Sequence, residues 1–588
     1  MVENIRTVQT DVLIVGAGGA GARAAIEADK QHVDIVLVDK GLIGKAGCTP
    51  TTGSRALPRS QREATGDRFS NDIHVIDAIF KRILQTGCYL NDQDLLWLWV
   101  SEQPELRREI TGWTSRAQDS YSDALNKEIA KHPMINVMEY VMVTRLLTHR
   151  GQIAGATALD LVSGDFLLLK AKVVILACGG YGELYSPSEC TPADVRTGVT
   201  GDGIALAYHT KCELVEMEMA QQQQLTDNPK WFKWERHIYT GLPRRKVVAG
   251  SGGIRADLSG GPFYDENGEV CISEDEIYNM PFGCAPPISR GGRGGYNPNL
   301  NKRVYEEMQK GPVYINIAEL VEDVSTLKTS LTDEMLHVKD HWDPVEFAKL
   351  RVVLGCLIGQ GGPKINAKCE TNVPGLYGAG EGCGSGNLYG AYRPGGSMDS
   401  LLVFGRRAGR YAAEYARAAT QRDVDREEVA AEQRRVYGFL QPKERPISPI
   451  DVKRRIWKIT GEHLHMMRNE KGLKAAIEEI MAIREKDLPQ VQAVDIRRFN
   501  LEWMEAIEVP IMLDVAEMIA RSALFREESR GCHNREDFPS MDNANWLYHT
   551  LLVKKDGAMH LSKAPVTMTK FKPPSLEECL RGGEPIPI

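Results

Sequence analysis

The sequence predicts an α/β fold that contains a parallel sheet. Three observations lead to this prediction. The apolar run VLIV at residues 12–15 has the length of a buried strand, and a glycine-rich turn that begins at Gly16 follows it directly. An alanine-rich helical stretch comes next, and a second apolar run ends at Asp39. This succession of strand, turn, helix and strand is typical of a βαβ unit.

The turn has the spacing Gly16-x-Gly18-x-x-Gly21. In this pattern the first glycine permits the tight turn, the second lets the backbone approach a pyrophosphate, and the third lets helix and strand pack closely. The helix N-terminus offers unpaired N–H groups to phosphates. Asp39 follows Gly21 at a spacing suited to a carboxylate that accepts the ribose hydroxyls. We therefore predict a dinucleotide site that includes Gly16, Gly18, Gly19, Gly21 and Asp39.

Length and composition limit the classes of function. With 588 residues the chain is long enough for three or four domains. A net charge of -7 gives no basic surface for nucleic acid. The N-terminal stretch has no signal-peptide pattern and no apolar run is long enough to span a membrane, so we expect a cytoplasmic protein. The twelve cysteines form no C-x-x-C pair, which argues against a metal site or an iron–sulfur cluster within the chain.

The glycine pattern alone does not distinguish FAD from NAD. Two distant strands favour FAD, because a long cofactor needs contacts from several parts of the chain. The first is AKVVILACGG, which contains Ala177 and Gly179, and the second is VPGLYGAGEG, which contains Glu381. A carboxylate at Glu381 is well suited to bind a ribityl hydroxyl.

Several ordered motifs carry a resemblance that extends over the whole chain. They are the glycine pattern, TGDG at 200–203, GLYGAGE, GAYRPGG at 390–396, VFGRRAG at 403–409 and REESRGCHNREDFP near the C-terminus. With these motifs the chain resembles the flavoprotein family of succinate dehydrogenase and fumarate reductase, which includes aspartate oxidase and the adenylylsulfate reductase flavoprotein.

The resemblance implies a Rossmann-like FAD-binding domain that is interrupted by a capping domain and followed by a helical domain and a short C-terminal region. We expect the first part of the FAD-binding domain at residues 1–245, the capping domain at 246–350 and the second FAD-binding part at 351–418. The helical domain would span 419–545, and the C-terminal region 546–588.

The resemblance also implies further residues that contact FAD. In addition to the glycine-turn residues and Asp39, they are Lys40, Gly44, Lys45, Ala46, Gly47, Thr51, Gly53, Ala177, Gly179, Asp202, Glu381, Ser397 and Leu401. Many relatives attach FAD covalently to a histidine, and Gly47 occupies that place here. We therefore expect non-covalent FAD. The neighbouring Cys48 leaves a thioether as the alternative.

The chain departs from the dicarboxylate enzymes at their histidines. In MEMAQQQQLT, Gln223 stands where one family histidine is expected, and Tyr389 and Leu357 replace two others. Arg393 retains the carboxylate-binding arginine of the family. Glutamine can still form hydrogen bonds but carries no charge and relays no proton. For Gln223 and Tyr389, a contact with substrate and a purely structural role both remain open.

The family arginine that donates a proton has no clear counterpart. The best register places Asn297 there, and Arg290 and Arg293 lie close by in SRGGRGG. Either arginine could supply the proton donor, whereas the alternative is a glycine-rich loop without a chemical role. The candidate catalytic residues are thus Arg393, Tyr389, Arg290, Arg293 and Gln223.

These features predict an FAD-dependent oxidoreductase that acts on an anionic substrate other than a dicarboxylate, by hydride transfer at a C–C or C=C bond. The resemblance implies that the electron-transfer partner is an iron–sulfur subunit. Two alternatives remain: flavin adduct chemistry of the adenylylsulfate reductase type, and a flavin subunit that only transfers electrons.

Overall fold

The structure is a computed structural model. It describes residues 5–51, 71–113, 121–185, 198–226, 232–236, 243–247, 262–287, 297–316, 349–384, 388–393 and 397–588. The strands are β1 (Arg6–Val15), β2 (Ile35–Asp39), β3 (Ile135–Glu139), β4 (Val141–His149), β5 (Gln152–Asp160), β6 (Phe166–Leu176), β7 (Leu214–Val215), β8 (Ala220–Thr226), β9 (Phe232–Arg236), β10 (Pro243–Val247), β11 (Phe263–Tyr264), β12 (Val270–Ile272), β13 (Tyr314–Ile315), β14 (Leu350–Gly359), β15 (Gly362–Pro363), β16 (Leu376–Gly378), β17 (Tyr548–Lys555), β18 (Ala558–Pro565), β19 (Phe571–Lys572) and β20 (Ile586–Pro587).

The helices follow the same order along the chain. They are α1 (Gly19–Asp29), α2 (Ile73–Thr86), α3 (Gln93–Trp113), α4 (Tyr121–Ile129), α5 (Asp202–His209), α6 (Glu274–Asn279), α7 (Pro298–Met308), α8 (Ser397–Ala418), α9 (Arg426–Gly438), α10 (Pro449–His463), α11 (Glu470–Ala482), α12 (Leu501–Phe525), α13 (Asn543–Trp546) and α14 (Leu576–Leu580). None of these described helices combines the length and apolarity needed to cross a bilayer.

The largest sheet has the order β3-β2-β1-β6-β5-β4, and β16 adds to it by pairing with β6. Strands β3, β2, β1, β6 and β16 are parallel, whereas β5 and β4 extend the sheet in antiparallel fashion. The four-residue run at 12–15 is fully buried, as expected for a central parallel strand. The α/β class and the Rossmann-like arrangement predicted from the glycine turn are therefore confirmed.

Helix α1 packs closely against both β1 and α8 because glycines remove side chains at the contacts. A Cβ on Gly21 would lie 1.8 Å from the carbonyl oxygen of Gly16. On α8, a Cβ on Gly405 or Gly409 would lie 2.5 or 2.2 Å from carbonyl oxygens of α1. This close packing fixes the start of α1 beside the end of β1.

A second sheet has the order β12-β11-β13-β14-β8 and lies in the region predicted to cap the cofactor domain. Its small core includes Phe263, Ile272, Val304 and Ile315. The glutamine-rich strand β8 pairs antiparallel with β14, which places Gln222 opposite Cys356. The same strand leads out of the first domain, so β8 links the two sheets.

The helices α9 to α12 form the predicted helical region. Helix α12 is 25 residues long, and most of its residues are buried all round the helix. It contacts α10 and α11, and its N-cap Asn500 accepts the backbone N–H of Trp503 at 3.0 Å. The C-terminal hairpin β17–β18 then pairs with β7. The exact domain boundaries stay a prediction.

Candidate active site

A cleft of about 1030 Å³ opens at the carboxyl ends of the parallel strands β1, β2, β6 and β16. Ligands of open α/β sheets bind at this edge. The cleft is lined by twelve of the predicted cofactor residues, namely Gly16, Gly18, Gly19, Asp39, Lys40, Ala46, Gly47, Ala177, Gly179, Asp202, Glu381 and Leu401. The structure thus brings together residues separated by up to several hundred positions in the sequence.

The remaining predicted cofactor residues lie elsewhere. Gly21 sits behind the turn, where its lack of a side chain permits the contact with Gly16. Gly44 faces Asn126, and neither it nor Lys45 lines the cleft. The side chains of Thr51 and Ser397 and the whole of Gly53 lie outside the described residues.

Other lining residues were not predicted from the sequence. They are Val15, Ala20, Val38, Cys48, Thr49, Val141, Met142, Val143, Cys178, Gly198, Val199, Leu206, Gly380 and Met398. Several are direct neighbours of predicted residues, so the motifs already pointed to them. The segment 141–143 carries no motif, because only the antiparallel extension of the sheet brings β4 to the cleft.

The carboxylate of Asp39 is held by two backbone donors. The N–H of Ala17 donates to Oδ2 at 2.7 Å, and the N–H of Gly41 donates to Oδ1 at 2.8 Å. Burial raises the pKa of Asp39 against the lowering effect of these hydrogen bonds. Each oxygen retains a second lone pair, so the fixed carboxylate is able to accept hydroxyl groups of a ribose.

Asp202 provides a direct test of whether the cleft fits a dinucleotide. Its Oδ2 accepts Lys40 Nζ at 2.8 Å and Thr200 Oγ1 at 2.7 Å. Its Oδ1 is buried and has no hydrogen-bond partner among the described residues. A buried carboxylate oxygen needs a donor, and hydroxyl or amino groups of a bound cofactor would supply one. The cleft and its donors therefore fit FAD.

The helix N-terminus in the cleft is equipped for phosphate. The N-cap of α1 is Gly18, which has no side chain to occupy the free N–H groups. Only the N–H of Gly19 has a side-chain acceptor, Thr49 Oγ1 at 2.9 Å. The first turn contains no acidic residue that would repel an anion. These features suit binding of a pyrophosphate at the helix dipole.

Arg393 lies in a second group of buried polar residues, where Gln221 holds its backbone. The N–H of Arg393 donates to Gln221 Oε1 at 3.0 Å, and Gln221 Nε2 donates to the carbonyl of Arg393 at 3.2 Å. Gln360 Nε2 donates to the same Oε1 at 2.8 Å. One amide side chain therefore fixes the loop that presents the arginine.

Uncharged amides make up much of this polar group. Asn301 Nδ2 donates to the carbonyl of Gln222 at 2.8 Å and to the hydroxyl of Tyr392 at 3.2 Å. Both amide atoms of Gln222, Oε1 of Gln360 and Oδ1 of Asn301 are buried and have no partner within the described part of the chain. Gln360 and Asn301 were not predicted as site residues, and no motif identified either of them.

The hydroxyl of Tyr389 accepts the backbone N–H of Ile365 at 2.6 Å. The ring is buried, and burial raises the pKa of the phenol. It lies edge-on to His549, with ring centroids 5.8 Å apart. These contacts give Tyr389 a defined structural role, and its predicted chemical role stays a prediction.

The proton-donor candidates are only partly described. Asn297 caps α7: its Oδ1 accepts the N–H of Asn299 at 3.0 Å, and its Nδ2 donates to Met280 at 3.4 Å. Arg290 and Arg293 lie outside the described residues. For Gln223 only the backbone is described, within β8.

A buried ion-pair network anchors the segment that leads into β8. Arg526 Nε donates to Glu218 Oε1 at 2.6 Å, and its Nη1 donates to Glu528 Oε1 at 2.8 Å. Arg530 pairs with both oxygens of Glu528 at 2.8 and 2.9 Å. Four charges alternate in sign here, so each buried charge has a counter-charge. The segment ESRG, which carried the resemblance, therefore has a structural function beside the site.

Two family models match the chain. One, described as FAD binding domain, matches residues 11–124 and 119–225, and the other, described as Fumarate reductase flavoprotein C-term, matches 453–577. With the nucleotide cleft, these matches define the protein as an FAD-binding oxidoreductase.

Relatives extend this assignment over the whole chain. The fumarate reductase flavoprotein subunit of Mycobacterium tuberculosis is 29% identical and covers 96% of this chain and 99% of its own length. A fumarate reductase (CoM/CoB) subunit of Methanothermobacter marburgensis is 28% identical and covers 93% and 97%. The chain belongs to the flavoprotein family of fumarate reductase and succinate dehydrogenase.

Solved structures agree with this assignment. The Mycobacterium smegmatis Sdh1 complex matches with a TM-score of 0.76 at 25% identity and covers 96% of this chain and 95% of its own. Adenylylsulfate reductase from Archaeoglobus fulgidus matches with a TM-score of 0.73 at 20% identity and covers 97% and 98%, which shows a shared fold.

Proposed function

We propose that the protein transfers hydride between FAD and a C–C or C=C bond of an anionic substrate that is not a dicarboxylate. The observation that carries this proposal is the setting of Arg393, a buried arginine held by amide side chains. An arginine can bind one carboxylate, phosphate or sulfate through two parallel hydrogen bonds. The surrounding amides add hydrogen bonds but no second positive charge.

The family histidines bear on the same point. The corresponding positions carry Gln223, Tyr389 and Leu357, and the Tyr389 hydroxyl accepts a backbone N–H. A dicarboxylate needs cationic or donor groups at both ends. This chain offers a clear anchor for one end, which favours a substrate with one anionic group near the reacting carbons.

The bound flavin supplies the hydride chemistry, and the protein supplies binding, orientation and electrostatics. The binding is non-covalent in this proposal, because Gly47 lines the cleft and has no side chain that could form a bond. An iron–sulfur subunit is the proposed electron-transfer partner, and the cytoplasm is the proposed location.

The test is reoxidation of the reduced flavin without oxygen, followed by its absorbance. An enoate or an enoyl thioester should reoxidise the flavin quickly, whereas fumarate should not. Fast reoxidation by fumarate would refute the proposed substrate class. A response to adenylylsulfate alone would instead favour adduct chemistry, and no response to any small acceptor would favour a protein that only transfers electrons.

Variants connect the result to the site. Arg393→Gln should slow reoxidation by the responsive acceptor at least about 100-fold, since a charge-assisted bidentate contact is lost. Arg410→Gln is the matched control, because Arg410 is an exposed arginine paired with Glu414 on helix α8. Equal rates in the two variants would contradict the role of Arg393.

A further inference from the structure

A chain of alternating charges leads from the cofactor cleft into the helical region. Asp202 Oδ2 accepts Lys40 Nζ at 2.8 Å, and Glu508 Oε1 accepts the same ammonium at 3.0 Å. The other oxygen of Glu508, Oε2, accepts Lys453 Nζ at 2.8 Å. Asp202 and Lys40 line the cleft, whereas Glu508 lies on α12 and Lys453 on α10.

This chain of charges is buried. The side chains of Glu508 and Lys453 are 1% and 5% exposed, and that of Lys40 is 14% exposed. Burial alone would raise the pKa of Glu508, but the ammonium groups of Lys40 and Lys453 outweigh it and lower the pKa to about 2. Glu508 is therefore a carboxylate, and it bridges two positive charges from different parts of the fold.

Lys40 depends on this bridge for its orientation. An ammonium group has three N–H donors, and three acceptors surround this one: Thr200 Oγ1 at 3.1 Å, Asp202 and Glu508. The acceptors fix the ammonium at the wall of the cleft, directly after Asp39. Without the Glu508 charge, the mostly buried ammonium would retain a single carboxylate partner, and Lys453 would lose its closest one.

We propose that Glu508 is a positioning residue for FAD binding: it holds Lys40 at the cleft wall and thereby couples the packing of the helical region to the affinity for FAD. The proposal concerns the cofactor and does not depend on the identity of the substrate. Coupling of this kind is reciprocal, so bound FAD also stabilises the contact of α10 and α12 with the cleft.

The first experiment measures the dissociation constant of FAD by titrating the apoprotein and following flavin fluorescence. Glu508→Gln keeps the shape of the side chain but removes its charge, and we expect FAD to bind at least about 10-fold more weakly. Glu505→Gln is the matched control on the same helix, because Glu505 is 32% exposed and lies 3.9 Å from Lys453. Its dissociation constant should stay within about 2-fold of the wild type.

A double-mutant cycle separates positioning from general stability. If Glu508 acts through Lys40, then Glu508→Gln should change the FAD dissociation constant less than about 2-fold when Lys40→Met is already present. An unchanged affinity in the Glu508→Gln single variant would overturn the proposal. So would a full additional loss in the Lys40→Met background, because a merely structural defect would persist there.

Hydrogen exchange on the wild-type protein tests the coupling even if the variants fail to fold. Addition of FAD should slow amide exchange in α10 and α12, around Lys453 and Glu508, as well as in the cleft itself. Protection confined to the cleft would overturn the proposed coupling.

Discussion

Gln221 and Gln222 are adjacent and buried, yet replacing each with leucine should have opposite effects. Gln221 makes three hydrogen bonds, two to the backbone of Arg393 and one to Gln360. Leucine would leave those three groups without partners. Since each unsatisfied buried group costs about 1–3 kcal/mol and neighbouring groups relax, Gln221→Leu should lower the free energy of unfolding by about 3 kcal/mol.

For Gln222 the same change removes a cost. Neither amide atom of Gln222 has a partner among the described residues, although the side chain is buried. Leucine has a similar size and no polar atoms to desolvate. Gln222→Leu should therefore leave the free energy of unfolding unchanged or raise it by about 1–2 kcal/mol.

Thermal unfolding of the FAD-bound protein and anaerobic flavin reoxidation form the assay. Gln221→Leu should lower the unfolding temperature and slow reoxidation, because the loop carrying Arg393 is no longer fixed. Gln222→Leu should not lower the unfolding temperature. The reasoning is refuted if both variants are destabilised equally, or if Gln222→Leu is the more harmful change.

Three further predictions concern the cleft, the pH dependence and the capping region. Gly21→Ala would place a Cβ 1.8 Å from the carbonyl oxygen of Gly16, so FAD should bind at least about 10-fold more weakly by fluorescence titration. Gly112→Ala, where a Cβ would meet nothing within 4 Å, should leave FAD affinity unchanged. Burial lowers the pKa of His549 to about 4, so between pH 4 and the ordinary pKa of histidine the unfolded chain binds more protons; the unfolding temperature should fall as pH falls through this window, and His549→Gln should make that fall shallower, whereas an unchanged slope would contradict the assignment. Asn297→Ala should cost about 1 kcal/mol through loss of a helix cap and leave the reoxidation rate intact; a large rate loss at nearly unchanged stability would give Asn297 a chemical role instead.

The first half of the cofactor domain could be predicted from sequence because its signals are local. The turn that begins at Gly16 and the carboxylate at Asp39 lie within one βαβ unit, and the structure places both at the cleft. The second sheet could not be assembled in this way. Strand β8 pairs with β14, more than a hundred residues later, and β8 is itself a run of glutamines without the apolar alternation of a half-buried strand.

The site shows the same limit. Lys40 was predicted as a cofactor residue from its place after Asp39, but its partner Glu508 lies 468 positions further along the chain. Helix α12 is apolar nearly all round, so a single buried glutamate in it carries no sequence signal of function. Only the packing of the helical region against the cleft brings the two charges together.

The glutamine run shows why composition could identify the location of the site but not the role of each residue. Successive side chains of a strand point to opposite faces. Gln221 reaches Arg393 and Gln360, whereas neighbouring Gln222 offers its carbonyl to Asn301 and leaves its amide without a partner among the described residues. Identical residue types thus have different functions at adjacent positions. Because the partners of Gln221 are backbone and amide groups, this part of the site has exchanged charge for shape and hydrogen bonding, which is the physical reason to expect a substrate with one anionic group.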